Sequence, residues 1–197
     1  MNKEPKTMSE NEESMESRLE QILNDALIKA TDTYSVPPQI IWVDNSTIAT
    51  LGNFSASTGK AKAKKTFNVS ALVAASLSNG TVLNYRACLP EGKRRILYVD
   101  TEQSRYHCHN VLARILKLAG LPTDMDNQNL DFIGLREYTP AIRMEVIDYA
   151  LAHNHGYGLV IIDGIRDLLL DINNAGESVE VINKMMEWSS KYDLHIH

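Results

Sequence analysis

Cysteine is almost missing from this chain: Cys88 and Cys108 are the only two in 197 residues. They share no metal-ligand spacing and cannot form a disulfide framework, so the expected compartment is the reducing cytoplasm. Long apolar runs are missing too. None approaches the ~20 residues that a bilayer demands, and the polar start Met1 to Ser14 lacks the apolar core of a signal peptide, so no membrane partner is expected. There is also no excess of positive charge, since the formal net charge is −5. That excludes a general nucleic-acid coat, while leaving open the capture of a single strand by a few basic loops, where only local charge counts. The six histidines are scattered. His107 and His109 flank Cys108 in a helical stretch, where the three side chains diverge around the axis instead of forming a zinc site.

What is present suits a globular core, with 44% hydrophobic and 23% charged residues. The N-terminal acidic stretch to Ser14 predicts disorder. Met15, Leu19, Ile22, Leu23, Ala26 and Leu27 then follow helical spacing, predicting an amphipathic helix over 15–30 before the Pro37-Pro38 break. The expected division is therefore 1–36, a disordered start plus helix, and 37–197, a single domain. In the latter, strand-like and helix-like segments alternate, which argues for a doubly wound, mainly parallel sheet.

The chemistry concentrates in Gly59-Lys60-Ala61-Lys62-Ala63-Lys64-Lys65-Thr66. Thr47 to Phe54 reads as a buried strand leading into it, and Phe67 to Leu77 as a helix leaving it, closed by Asn79-Gly80. Strand, turn and helix in that order make a phosphate cradle, because the first-turn amides and the helix dipole both favour an anion. On the pattern G-x-x-x-x-G-K-[ST], Gly59 is the first glycine, Lys65 the lysine for the outer phosphates and Thr66 the hydroxyl for magnesium. Lys60, Lys62, Lys64 and Phe67 belong to the same candidate nucleotide site. The irregularity is Lys64, which stands where a second glycine is expected and is taken here to accept a helical dihedral. A basic solvated turn would carry the same local sequence.

Two further strands end in acids. Tyr157 to Asp163 is an apolar, β-branched run delivering a carboxylate to the sheet edge, a Walker B pattern in which Asp163 holds magnesium opposite Thr66. An aspartate capping the following helix is the alternative. Arg95 to Glu102 is the other run. Glu102 is the candidate catalytic carboxylate, orienting water for attack, or an acid favoured at the start of a helix over 102–118.

These motifs together resemble the RecA-type P-loop ATPase core. Within it, they look most like RepA-like hexameric helicase ATPases and AAA-type relatives of plasmids and mobilizable elements, whose loop often reads G-K-x-K-x-G-K-[ST]. The resemblance spans Ile40 to the end and implies a three-layer α/β/α RecA-like fold, ATP and Mg²⁺ as ligands, and Glu102 as the hydrolytic residue. It further implies a homo-oligomeric ring or filament, and work on DNA, most simply single-stranded, in replication, mobilization or excision of a mobile element. The departure at Lys64 keeps a second implication alive, a hydrolysis-deficient nucleotide-binding scaffold or accessory DNA-binding protein.

The remaining segments predict a strand over 130–134 and helices over 140–152 and 178–192. Relatives in rings use an N-terminal segment to grip the next subunit, whereas packing on its own domain is the simpler expectation for the helix over 15–30. Asp193 to His197 reads as the opening of one more strand, after which family members run on, so the domain is expected to be cut short there. The resemblance puts a phosphate-sensing polar residue at that strand's end, the place of His197. The residues alone predict a frayed terminus.

Overall fold

The computed structural model of the chain describes residues 10–59, 64–171 and 174–197. It divides into a first unit ending at Val36 and a second spanning Pro37–His197. In the first, helix α1 covers Glu10–Ala26. It begins five residues before the predicted start, so 10–14, expected to be disordered, is helical. Residues 1–9, the rest of the predicted disorder, lie outside the described residues.

The second unit opens with β1 (Gln39–Val43) and β2 (Ser46–Thr50), followed by α2 (Lys65–Ser78) and the short strands β3 (Thr81–Val82) and β4 (Tyr85–Ala87). Then come β5 (Arg95–Asp100), α3 (Arg105–Leu118), β6 (Leu130–Gly134), α4 (Pro140–His153), β7 (Tyr157–Asp163), a 3₁₀ turn at Ile165–Leu168, α5 (Ala175–Lys191) and β8 (His195–Ile196). One sheet is antiparallel in the order β2-β1-β4-β3, and the other runs β6-β5-β7-β8 with every pair parallel.

The parallel sheet is the middle of three layers, as a strand alternation of two requires. Ile96, Tyr98, Leu159 and Ile161 face Leu72 and Val73 of α2 and Val111 and Ile115 of α3. Leu97, Val99, Val160 and Ile162 face Ile147 and Leu151 of α4 and Val181, Met185 and Trp188 of α5. Trp188, fully buried, satisfies its indole by donating to Asp148 Oδ1 at 2.6 Å. The mixed α/β fold with a parallel sheet is the RecA-like P-loop architecture read from the sequence.

Two local expectations change. Thr47 to Phe54 is not one buried strand. Its first part is β2 of the antiparallel sheet, and Gly52, at φ 73°, turns the chain out of it. Residues 53–55 then run parallel beside β8, where Ile196 N–H donates to Asn53 O (3.2 Å) and Ser55 N–H to Ile196 O (2.9 Å). The end of the chain is likewise not frayed. His197 N–H donates to Val160 O at 2.8 Å and its carbonyl accepts from Ile162 N–H at 2.9 Å, so β7 fixes it on one side.

Candidate functional site

Because β5, β7, β8 and the segment 53–55 are mutually parallel, their C-terminal ends open on one edge, where ligands of such sheets bind. The segment entering the phosphate loop reaches that edge beside β8. Lys60 and Lys62 fall outside the described residues, and Gly59 precedes them. Lys64 resumes the chain at φ 58°, ψ 30°. This corrects the helical dihedral expected of it: the position takes the left-handed conformation that glycine supplies freely, at a cost to lysine of about 1–2 kcal/mol. Its carbonyl accepts from both Phe67 N–H (3.1 Å) and Asn68 N–H (3.2 Å) at the start of α2.

Lys65 opens α2 and curls back, donating from Nζ to Gly59 O at 3.1 Å, so the ammonium bridges the two rims of the loop. Thr66 follows, half-buried, and Phe67 is partly exposed. The Lys64 side chain makes no cap hydrogen bond, and no acid lies in the first turn of α2. Its amides therefore suit an external anion.

The acids stand on the neighbouring strand ends. Asp100 and Asp163 are direct partners in the β5–β7 ladder. Each lies two residues beyond Tyr98 and Ile161, and so on the face covered by α2. Asp100 is fully buried and accepts from Glu102 N–H (3.0 Å), Gln103 N–H (2.8 Å) and Gln103 Nε2 (2.8 Å). It thereby shapes a tight bend, and α3 begins only at Arg105, so Glu102 sits on that bend and not in a helix. Asp163 is held by the fully buried Tyr98, whose hydroxyl donates to Oδ2 at 2.9 Å while its ring stacks on Phe132 at 4.4 Å.

Glu102 feels the charge of several of these groups. Burial raises its pKa above the usual carboxylate range, and Asp167, Asp163 and Asp100 push it further up, while the Lys65 ammonium pulls it down. Lys65, Glu102 and Asp163 therefore share one electrostatic neighbourhood. Thr101 locks it: its hydroxyl lies 3.1 Å from Asp163 O, 2.8 Å from Gly164 O and 3.0 Å from Asp167 Oδ2. Gly164, at φ 101°, permits this approach, for a Cβ there would strike Thr101 Oγ1 and come within 2.8 Å of Glu102 Cγ. Arg143 of α4 fastens the next turn from below, donating from Nε to Leu135 O at 3.0 Å, from Nη2 to Arg136 O at 2.9 Å, and from Nη1 to Asp167 O.

Sequence reading singled out Lys65, Thr66, Glu102 and Asp163 but not Tyr98, Thr101, Gly164 or Asp167. Tyr98 carried one usable signal, because a tyrosine inside a buried strand needs a partner for its hydroxyl. The others depend on which strand ends meet.

The donor set is hard oxygen, and among the described residues no three acid, histidine or cysteine side chains form a metal cage. That fits magnesium, which keeps several waters and takes one or two protein oxygens plus phosphate. Thr66 and Asp163 would be those oxygens.

No curated protein matches the chain. A family model described as an AAA domain matches residues 15–197. With a carboxylate-bearing edge on a parallel sheet and this match over most of its length, the chain belongs to the AAA domain family of P-loop nucleotide-binding ATPases.

Proposed function

We propose that the protein binds ATP with magnesium at the C-terminal edge of its parallel sheet and hydrolyses it. The observation that carries this reading is the placement at one sheet edge of Asp163, beside Asp100 in the β5–β7 ladder, and of the bend bearing Glu102, with Lys65 as the positive charge acting on Glu102. Gly59, Lys64, Lys65, Thr66 and Phe67 form the described part of the loop that receives the triphosphate, with Lys65 leaving the Gly59 carbonyl for the outer phosphates. Thr66 and Asp163 would hold the magnesium ion, which would supply charge neutralisation along those phosphates. Glu102 then orients the attacking water and accepts its proton. Its raised pKa makes it a better base than an ordinary carboxylate.

The finer reading is a RepA-like helicase ATPase that assembles into a ring or filament and acts on single-stranded DNA of a mobile element. It rests on the resemblance of Gly59 to Thr66 and of Asp100-Thr101-Glu102 to that family. The left-handed Lys64 favours a second reading, in which the strained loop still binds nucleotide but turns it over poorly, so that the protein acts as a scaffold.

In a melting experiment ATP with Mg²⁺ raises the melting temperature, and Lys65→Ala removes the rise; no rise in the parent protein refutes nucleotide binding. Turnover stimulated by single-stranded DNA supports the helicase reading. Binding without turnover selects the scaffold.

A further inference from the structure

The segment entering the loop is tied to β8 by a row of side-chain hydrogen bonds whose direction chemistry fixes. His195 is almost fully buried, and its Nδ1 lies 2.9 Å from Thr50 O. A carbonyl only accepts, so Nδ1 carries the proton. Burial keeps the ring neutral by lowering its pKa to about 4, with His197 the other titratable group acting on it. Nε2 of His195 is then a bare acceptor, and Ser55 Oγ, at 2.8 Å, must donate to it. The hydroxyl's single proton is thus spent, so Ser55 Oγ accepts from His197 Nδ1–H at 2.7 Å. Burial also lowers the pKa of His197, so this ring stays neutral and its Nε2 accepts from the Ser57 hydroxyl at 2.7 Å. Every donor from Ser57 to Thr50 points the same way, and reversing one link would set two donors or two acceptors against each other.

We propose that His195 and Ser55 are positioning residues for the phosphate loop: through this one-way chain they hold His197 as the neutral Nδ1–H tautomer, and so fix Ser57, two residues before Gly59. Gly59 is also where Lys65 docks, which gives the chain a path to the lysine without touching phosphate. The bond order stands on the hydrogen-bond distances and on the neutrality that burial gives both rings, while its effect on nucleotide rests on the function proposed above.

Nitrogen-15 NMR of the histidine side chains at neutral pH tests the order directly. Both rings should be neutral with Nδ1 protonated, and an Nε2–H tautomer or an imidazolium at either residue overturns the proposal. Ser55→Ala removes the middle link. It should convert His197 at least partly to the Nε2–H form and weaken ATP·Mg²⁺ binding about tenfold, equivalent to about 1.4 kcal/mol. Ser55→Thr, which keeps the hydroxyl, should restore both. A purely structural serine would lower the melting temperature without moving the tautomer, so an unchanged His197 signal in Ser55→Ala overturns the ordering. Should the parent bind ATP and Ser55→Ala bind it equally well, the positioning role is overturned. A parent that binds no ATP refutes the proposed function and with it the positioning role, while the NMR arm still decides the bond order.

Discussion

The two ends of the parallel sheet both gather charge, and they treat it in opposite ways. At the N-terminal end, Arg95 meets Asp131 at 2.5 Å, and the Tyr157 hydroxyl donates to the same Asp131 oxygen. The guanidinium also lies 4.9 Å from the Tyr157 ring centre. Each charge there has its opposite, so the cluster closes on itself and staples β5, β6 and β7 together. At the C-terminal end, Asp100, Glu102, Asp163 and Asp167 crowd one another with Lys65 as the counter-charge acting on Glu102. Their hydrogen bonds come from neutral groups, Tyr98, Thr101, Gln103 and backbone amides. Neutral donors orient carboxylates without neutralising them. Among the described residues, an acidic edge that outnumbers its one lysine counter-charge stands beside a helix N-terminus whose Lys64 side chain makes no cap, an arrangement that suits something bringing both positive and negative charge, as a metal–triphosphate does.

If the two ends differ in this way, substitutions should separate activity from stability. The largest effect is expected at Glu102. Glu102→Gln should lower ATP turnover by about 10²–10⁴-fold, the range for losing a positioned base, while ATP·Mg²⁺ affinity measured by calorimetry stays near that of the parent. Undiminished turnover would take the catalytic role from Glu102. Next is Gly164→Ala, where the new methyl displaces Thr101 and Glu102. Turnover should fall by about tenfold or more, since small misplacements of catalytic groups are costly, and the melting temperature should drop as well. Equal activity would mean that the approach of these two strand ends does not matter.

At the opposite end the signs reverse. Asp131→Asn should cost about 1 kcal/mol, because the pair is partly exposed. That corresponds to about 2–4 °C in melting temperature for a chain of this size, with ATP affinity unchanged. A loss of ATP affinity would show that the two ends are coupled.

pH sharpens the contrast. Glu102 has a folded-state pKa raised by burial and by its acidic neighbours. Folding is therefore favoured below the carboxylate's unfolded value, and this contribution is lost as pH rises through the folded one. Glu102→Gln should accordingly be more stable than the parent at neutral pH, and the advantage should vanish on acidification; an advantage independent of pH would contradict the electrostatic cause. His195 acts in the other direction, since its pKa lowered to about 4 means that stability is lost as pH falls from about 6.5 towards 4. The smallest effect is expected at Lys64. Lys64→Gly relieves the left-handed dihedral but adds chain entropy, for a net gain of about 0.5 kcal/mol, seen as a slight rise in urea midpoint.

Much of this was legible in the amino acids. β6 and β7 were read to the residue, because continuous apolar runs bounded by polar residues admit few other assignments, and the carboxylates at the ends of β5 and β7 came with the runs. The antiparallel sheet was not legible. Its strands β3 and β4 have two and three residues, too short for an alternation to declare itself, and β2 was joined to the loop segment until Gly52 separated them. The supporting residues were hidden for another reason. Tyr98 and Asp163 are 65 residues apart and Ser55 and His195 are 140 apart, so only the register of the folded sheet brings them together.

The account turns on the lysine and the Walker aspartate serving the same ligand, and a calorimetric titration of ATP in the presence and absence of Mg²⁺ tests this most directly. The parent should bind ATP more tightly with Mg²⁺. Lys65→Ala should lose binding under both conditions, and Asp163→Asn should lose only the gain from Mg²⁺. A parent that binds ATP with neither, or an Asp163→Asn variant that keeps the full Mg²⁺ gain, would contradict it.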